Sequence, residues 1–169
     1  LIFQGFVSSL YMIRMDGIMK DTMLQEFTRV FGDKEGVTCF FAPGRVNLIG
    51  EHTDYNGGHV FPCALTIGTY AVARKRNDRM LQFYSMNFEI EGVIGTSLDD
   101  MVNRPEQAWA NYPIGVLKTL NDAGYTVDCG MDILYNGTIP NSSGLSSSAS
   151  IEVLTAFIAK NFFGLELDF

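Results

Sequence analysis

Cysteine and histidine are scarce in this chain, which narrows what the protein can be. Its 169 residues contain three cysteines, Cys39, Cys63 and Cys129, and two histidines. The cysteines are odd in number, widely spaced and in no CxxC arrangement, which argues against a disulfide framework and against a zinc site. Reduced thiols are the simplest interpretation, and they predict a cytoplasmic protein.

The chain also has few positively charged residues and no long apolar run. Twelve Lys and Arg residues stand against nineteen Asp and Glu residues, which gives a formal net charge of −7. Proteins that bind nucleic acids need a basic face to displace counterions, so we expect no nucleic-acid partner. No run approaches the roughly 20 apolar residues that span a bilayer, so we expect no membrane partner. The apolar segment 151–163 is interrupted by Glu152 and Lys160, and we predict that it is a core helix.

The chain does contain enough apolar residues for a folded domain. Hydrophobic residues make up 47% of it and charged residues 18%, which is typical of globular proteins. Apolar spacing predicts helices at 22–31, at 109–120 and from Ser150 onward. It predicts strands at 37–42, 65–73, 80–84, 88–94 and 131–135, the first stopped by Pro43 and Gly44. Interleaved strands and helices without an internal repeat predict one mixed α/β domain.

The two ends of the sequence carry expectations of their own. The apolar start has no basic segment before it and no cleavage pattern after it, so residues 1–21 are predicted to be a non-native or poorly ordered leader. Residues 22–169 are predicted to form the domain. Gly164 should end the last helix, and the element that begins after it has no stop signal. We therefore expect a truncated sequence.

A serine-rich loop at 144–150 leads into the last predicted helix and contains Ser146, Ser147, Ser148 and Ser150. Free backbone N–H groups and the helix dipole favour an anion at a helix start, and a hydroxyl there can also bind Mg²⁺. The alternative is that a serine merely caps the helix. A cap needs one serine and the loop has several, which favours phosphate binding. No GxxxxGK[ST] or GxGxxG motif occurs, so this is neither a P-loop nor a Rossmann fingerprint.

A second polar cluster follows the first predicted strand. It consists of Arg45, Asn47, Glu51, His52 and Asp54, flanked by glycines. Carboxylates accept hydrogen bonds from sugar hydroxyls, and an arginine can stabilise the charge of a transferring phosphoryl group. A surface turn with an Arg45–Glu51 ion pair is an open alternative. A Ser–His–Asp hydrolase is another, although no GxSxG motif occurs.

Taken whole, the run APGRVNLIGEHTDYNGG at 42–58 resembles the galactokinase signature, and the serine loop resembles the second motif of the GHMP small-molecule kinases. The resemblance extends over about residues 26–167. It implies an α/β (α+β) fold, the ribosomal protein S5 domain 2-like amino-terminal domain of GHMP kinases, in truncated form. It also implies an ATP-dependent sugar kinase that uses Mg²⁺ and ATP to convert galactose to galactose 1-phosphate.

The resemblance assigns roles to residues of this sequence. Arg45 would be the catalytic residue that stabilises the transition state. The sugar would be bound by Glu51, His52, Thr53 and Asp54. ATP would be bound by Ser85, Trp109, Ser142, Ser143, Gly144, Leu145, Ser146, Ser147 and Ser148. Ser148 would also bind the metal. Ser142 and Ser143 stand where related loops commonly have glycine, and for Ser85 and Trp109 an ordinary structural role is the alternative.

The resemblance places other parts of the site beyond residue 169. These are a catalytic aspartate, a glutamate that is the second metal ligand, a sugar-contacting tyrosine and a third glycine-rich motif. We therefore expect the chain by itself to be inactive. Three alternatives stay open: an N-acetylgalactosamine kinase or another sugar kinase, a non-catalytic sensor of galactose and ATP, and a fragment without activity. The sequence does not identify a protein partner.

Overall fold

A computed structural model describes residues 16–50, 53, 56–140 and 147–168. In these residues the chain forms three α-helices, five β-strands and two 3-10 helices. The α-helices are α1 (Gly17–Phe31), α2 (Asn111–Asp122) and α3 (Ser147–Phe163). The strands are β1 (Thr38–Ile49), β2 (Phe61–Lys75), β3 (Met80–Ser85), β4 (Ile94–Ser97) and β5 (Met131–Gly137). The 3-10 helices are Glu89–Glu91 and Pro105–Ala110.

The strands form one sheet in the order β1-β2-β5-β3-β4. All neighbouring pairs are antiparallel except β3 and β5, which are parallel. Although β2 and β3 follow one another in the chain, β5 lies between them. The buried carboxylate of Asp132 on β5 accepts from Arg74 Nε at 2.8 Å and from Arg76 Nη1 at 2.7 Å, so both arginines at the end of β2 bind the inserted strand.

Helices cover both faces of the sheet. On one face α2 and α3 pack against β-strand side chains in a core that includes Phe40, Ile114 and Ile158. On the other face Met23 and Phe27 of α1 pack against a smaller cluster from β2, β3 and β5. Neighbouring strand residues point to opposite faces, so each central strand contributes to both cores. The prediction of a mixed α/β domain is confirmed.

Two of the predicted strands differ from the observed ones. β1 does not stop at Pro43 but runs on to Ile49, with a register shift after Pro43. Proline is tolerated there because β1 is an edge strand. Its partner Gly68 has no side chain, and a Cβ there would lie 2.1 Å from the Ala42 carbonyl oxygen. The strand predicted at 88–94 is wrong: the 3-10 helix Glu89–Glu91 lies within it, Ile90 is fully exposed, and β4 begins only at Ile94.

The helices are confirmed with shifted starts. α1 begins at Gly17, where Asp16 accepts from the backbone N–H of Ile18, five residues before the predicted start. The division between a leader and the domain at residue 22 stays a prediction. α3 runs from Ser147 to Phe163 and is followed, as predicted, by Gly164, whose φ of +63° favours glycine. None of the described helices combines the length and the apolar character that crossing a membrane requires.

Residues 45–49 of β1 and 61–64 of β2 pair to form the β1–β2 ribbon, and none of these residues is fully buried by the described part of the chain. Leu48, Ile49 and Phe61 are 64%, 72% and 62% exposed, and Ile49 and Phe61 are paired across the ribbon. Arg45 lies on the same ribbon.

Candidate functional site

A cavity of about 270 Å³ lies where the ends of β3 and β5 meet the start of α3. Its lining includes Ser85, Trp109, Ser147 and Ser148. These four residues come from three separate parts of the chain, and each was predicted from the sequence to bind ATP. The fold brings them together, because β5 pairs with β3 and thereby places the exit of β5 beside Ser85.

Aromatic groups form one wall of the cavity. The rings of Trp109 and Tyr135 meet edge to face, with centroids 5.8 Å apart. The Tyr135 hydroxyl lies 2.8 Å from Thr155 Oγ1, and burial raises the pKa of Tyr135, so this wall carries no charge at neutral pH. Trp109 Nε1 is buried and has no hydrogen-bond partner in the part of the chain that the structure describes. An aromatic, uncharged wall of this kind suits a planar, uncharged ring.

The floor of the cavity is fixed by the turn that follows β3. Ser85 is buried, and its hydroxyl oxygen accepts from the backbone N–H of Asn87 at 3.2 Å. The Asn87 side chain forms two hydrogen bonds with the backbone at the end of β5. It donates to the Gly137 carbonyl oxygen at 2.9 Å and accepts from the Gly137 N–H at 2.7 Å. Ser85 therefore has a structural role in this turn whether or not it also touches a ligand.

The amino-terminal end of α3 lies at the mouth of the cavity. Ser147 and Ser148 are exposed, and the first turn of the helix has no acidic residue. The helix dipole and free N–H groups of a 17-residue helix make this end favourable for an anion. Ser150, buried one turn further on, donates to the Ala42 carbonyl oxygen at 2.9 Å and anchors this end of α3 to β1. The predicted residues at 142–146 lie outside the described residues.

The described residues do not bring together three His, Cys, Asp or Glu side chains that could hold a metal ion. Ser148 offers a neutral hydroxyl at the positive end of a helix dipole, where a bare cation would be disfavoured. The donor set fits Mg²⁺ only when an anionic ligand such as a nucleotide phosphate supplies most of the coordinating oxygens. Ser148 is therefore compatible with Mg²⁺ when a nucleotide phosphate is bound beside it.

The predicted sugar-binding residues are only partly described. Arg45 is exposed on β1 opposite Ala64, and it forms no salt bridge with any residue that the structure describes. It stands three residues, roughly 10 Å of strand, beyond Ala42, which contacts α3. The Thr53 hydroxyl lies 2.6 Å and 2.8 Å from the carbonyl oxygens of Gly50 and His59, so it closes the turn between β1 and β2.

Glu51, His52 and Asp54 lie outside the described residues, and so does the alternative ion pair between Arg45 and Glu51. The roles of all residues predicted for sugar and ATP stay predictions.

Several cavity residues were not identified from the sequence, among them Asn87, Phe88, Tyr112 and Tyr135. Asn87 lies between the strands predicted at 80–84 and 88–94, in a loop position where sites often form, whereas Phe88 was predicted to begin a strand. Tyr112 carried only a helical-spacing signal, and Tyr135 read as an ordinary strand residue. Their approach to Trp109 and Ser148 depends on the order of strands in the sheet, which the local pattern does not contain.

Comparison with known proteins gives two family matches. Residues 25–75 match the galactokinase galactose-binding signature, and residues 111–169 match the GHMP kinases N terminal domain. The galactokinase of Streptococcus mutans is 55% identical over 149 residues, which cover 88% of this chain and 38% of that protein.

Solved structures agree with the sequence comparison. The crystal structure of Lactococcus lactis galactokinase complexed with galactose superposes with a TM-score of 0.85 at 46% identity, over 88% of this chain and 38% of that one. Methanococcus jannaschii mevalonate kinase superposes with a TM-score of 0.66 at 22% identity, over 80% of this chain and 43% of that one, which shows the shared fold. The predicted fold of a GHMP kinase amino-terminal domain is confirmed. The chain spans a little over a third of the length of these galactokinases.

Proposed function

Because the chain belongs to the galactokinase family of GHMP kinases, we propose that the whole protein transfers the γ-phosphoryl group of ATP to the anomeric hydroxyl of galactose. The observation that carries this proposal is the cavity that gathers Ser85, Trp109, Ser147 and Ser148 at the start of α3. The galactose complex of the Lactococcus lactis relative supports galactose as the sugar.

In this proposal the cavity holds the nucleotide. The base packs against the edge-to-face pair of Trp109 and Tyr135. The phosphates lie at the first turn of α3, where backbone N–H groups and the hydroxyls of Ser147 and Ser148 can donate to their oxygens. Ser142, Ser143, Gly144, Leu145 and Ser146 would continue this phosphate site.

Ser148 is proposed to ligate Mg²⁺ that arrives with the nucleotide. The ion, when bound, neutralises phosphate charge during transfer. The contribution of this chain is to hold the hydroxyl in place: Ser150, two residues further along α3, is anchored to β1 and β2 and keeps the first turn of the helix from shifting.

Arg45 is proposed to stabilise the charge that develops on the transferring group, because it is exposed, shortly precedes the sugar-binding run in the sequence and forms no salt bridge with a described residue. Glu51, His52, Thr53 and Asp54 would bind the sugar hydroxyls. The acceptor hydroxyl would be deprotonated or oriented by a carboxylate contributed by another part of the whole protein.

The proposal is tested with the whole protein, by following ATP consumption with galactose, N-acetylgalactosamine or glucose and with the 169-residue chain assayed in parallel. We expect galactose-selective turnover by the whole protein and none by the chain. Galactose and ATP binding without turnover would contradict the kinase proposal in favour of a sensor, and preference for N-acetylgalactosamine would contradict the choice of sugar.

The role of Arg45 is tested by Arg45→Ala in the whole protein, with Arg79→Ala as the matched control because Arg79 is a surface arginine paired with Asp99 at 2.7 Å. We expect Arg45→Ala to lower kcat by about 100-fold to 1000-fold, as loss of a transition-state donor does, with little change in the KM for galactose. Unchanged turnover would contradict the assignment.

We also propose a cytoplasmic location. It is supported by the three free cysteines, none of which is paired in the structure. Fractionation of cells that express the whole protein tests it, and recovery with an extracellular or membrane fraction would contradict it.

A further inference from the structure

The backbone beside Trp109 is strained. Ala108 has φ +43° and ψ −119°, and it is the one non-glycine residue with positive φ in the part of the chain that the structure describes. This conformation is close to the first central position of a type II′ turn, which glycine normally occupies because a Cβ clashes there. Ala108 is exposed, so packing of its methyl group does not explain why the conformation persists.

Asn111 supplies the contacts that hold this segment. Its side-chain amide donates to the carbonyl oxygens of Arg104 at 2.7 Å and of Ala108 at 3.1 Å, and its Oδ1 accepts from the Arg104 N–H at 3.1 Å. Its backbone N–H also bonds to the Ala108 carbonyl oxygen. One side chain therefore ties the beginning of the 3-10 helix to the strained residue and to the first turn of α2.

We infer that Asn111 is a positioning residue for the cavity: its hydrogen bonds fix the carbonyl of Ala108 and thereby hold Trp109 edge-on against Tyr135. Without them the Ala108 peptide rotates to an unstrained conformation. Because Trp109 is the next residue, that rotation turns the indole away from the wall. The inference rests on the proposed function only for the identity of the ligand; the placement of Trp109 does not depend on it.

Fluorescence tests the placement in the 169-residue chain, because Trp109 is its single tryptophan. Asn111→Ala should shift the emission to longer wavelength and increase quenching by acrylamide. The double variant Ala108→Gly/Asn111→Ala should restore the emission of the unaltered chain, because glycine adopts this backbone conformation without strain. Emission that is unchanged in Asn111→Ala, or a shift that Ala108→Gly does not reverse, would overturn the inference.

Asn121→Ala is the matched control. Asn121 lies at the other end of α2 and accepts from the Val127 N–H at 3.2 Å, so its truncation removes a hydrogen bond between an asparagine side chain and the backbone without touching Ala108. Its emission should equal that of the unaltered chain, and a red shift equal to that of Asn111→Ala would overturn the inference. If Asn111→Ala does not fold, as circular dichroism would show, Asn111→Asp takes its place: it keeps the acceptor for Arg104 and loses both donors.

Kinetics of the whole protein test the consequence for the site. Asn111→Ala should raise the KM for ATP about tenfold and leave kcat and the KM for galactose nearly unchanged, since it weakens binding without touching the transferring group. Asn121→Ala should leave all three unchanged. An unchanged KM for ATP together with shifted emission would overturn the inference for the nucleotide. An unaltered protein that does not bind ATP, while the fluorescence results hold, would overturn the proposed function and leave the positioning role supported.

Discussion

The hydroxyl of Ser150 lies 3.0 Å from the hydroxyl of Thr69, in the buried contact between α3 and the sheet. Thr69 on β2 is paired with Ala42 on β1, and Ser150 also donates to the Ala42 carbonyl oxygen at 2.9 Å. One side chain therefore joins the first turn of the helix to two strands. Of the serines around the loop that suggested phosphate binding, this one has a structural role.

Removing that hydroxyl should weaken the fold. We expect Ser150→Ala to lower the free energy of unfolding by about 1–3 kcal/mol, because the carbonyl of Ala42 and the hydroxyl of Thr69 each lose a buried hydrogen-bond partner. Urea unfolding followed by circular dichroism measures the change. Ser147→Ala is the control, since Ser147 is exposed and should alter stability by less than about 0.5 kcal/mol. Equal effects of the two variants would contradict the anchoring role of Ser150.

The buried carboxylate of Asp132 should contribute at least as much to the free energy of unfolding as the Ser150 hydroxyl does. Its side chain is 1% exposed and pairs with Arg74 and Arg76. Asp132→Asn removes the charge that both guanidinium groups face, while Arg74 keeps its pair with Asp33 and Arg76 keeps its pair with Asp78. We therefore expect a loss of about 2–3 kcal/mol, at or below the low end of the cost of leaving a buried charge unpaired. Chemical denaturation gives the value. Asp128→Asn, at an exposed position before the same strand, should change it little. A loss below about 1 kcal/mol for Asp132→Asn would show that the pair is screened like a surface one.

Acid should destabilise the domain through Asp78 among other groups. A hydrogen bond from Arg76, with a backbone N–H bond from Met80, lowers the pKa of Asp78 from 3.8 to about 2. Because the folded-state pKa is the lower one, the stabilisation is present above about pH 4 and is lost as the pH falls toward 2. Thermal unfolding between pH 2 and pH 5 measures this. Asp78→Asn should flatten the dependence, and Asp128→Asn should keep it; a profile unchanged by Asp78→Asn would contradict the assignment.

The cysteines should differ in reactivity. Cys63 is exposed on the β1–β2 ribbon, whereas burial raises the pKa of Cys39 and of Cys129. Since the thiolate is the nucleophile, iodoacetamide near pH 8 should modify Cys63 about tenfold faster than the other two in the native 169-residue chain. Peptide mass spectrometry identifies the modified residue. Cys63→Ser should remove the fast phase, and a fast phase that persists would contradict the exposure of Cys63.

The local pattern of apolar residues alone was enough to predict several of the helices and strands. The spacing of apolar residues predicted α1, α2, α3 and the central parts of four strands, because burial on one face of an element leaves a periodic trace in the sequence. The same reasoning failed at 88–94, where alternating apolar residues are exposed, and at Pro43, where an edge strand tolerates a proline that a central strand would not.

In the candidate site, too, some features could be predicted from the sequence and others depend on the tertiary structure. The sequence by itself determined the class of protein, since the run at 42–58 and the serine loop are contiguous motifs, and from the same motifs it predicted the residues of the site. Only the tertiary structure decided that Trp109, Ser85 and Ser148 share one cavity and that Asn111 holds the backbone beside it. The physical reason is that these contacts join residues far apart in the chain. They depend on β5 pairing between β2 and β3, which local periodicity does not encode.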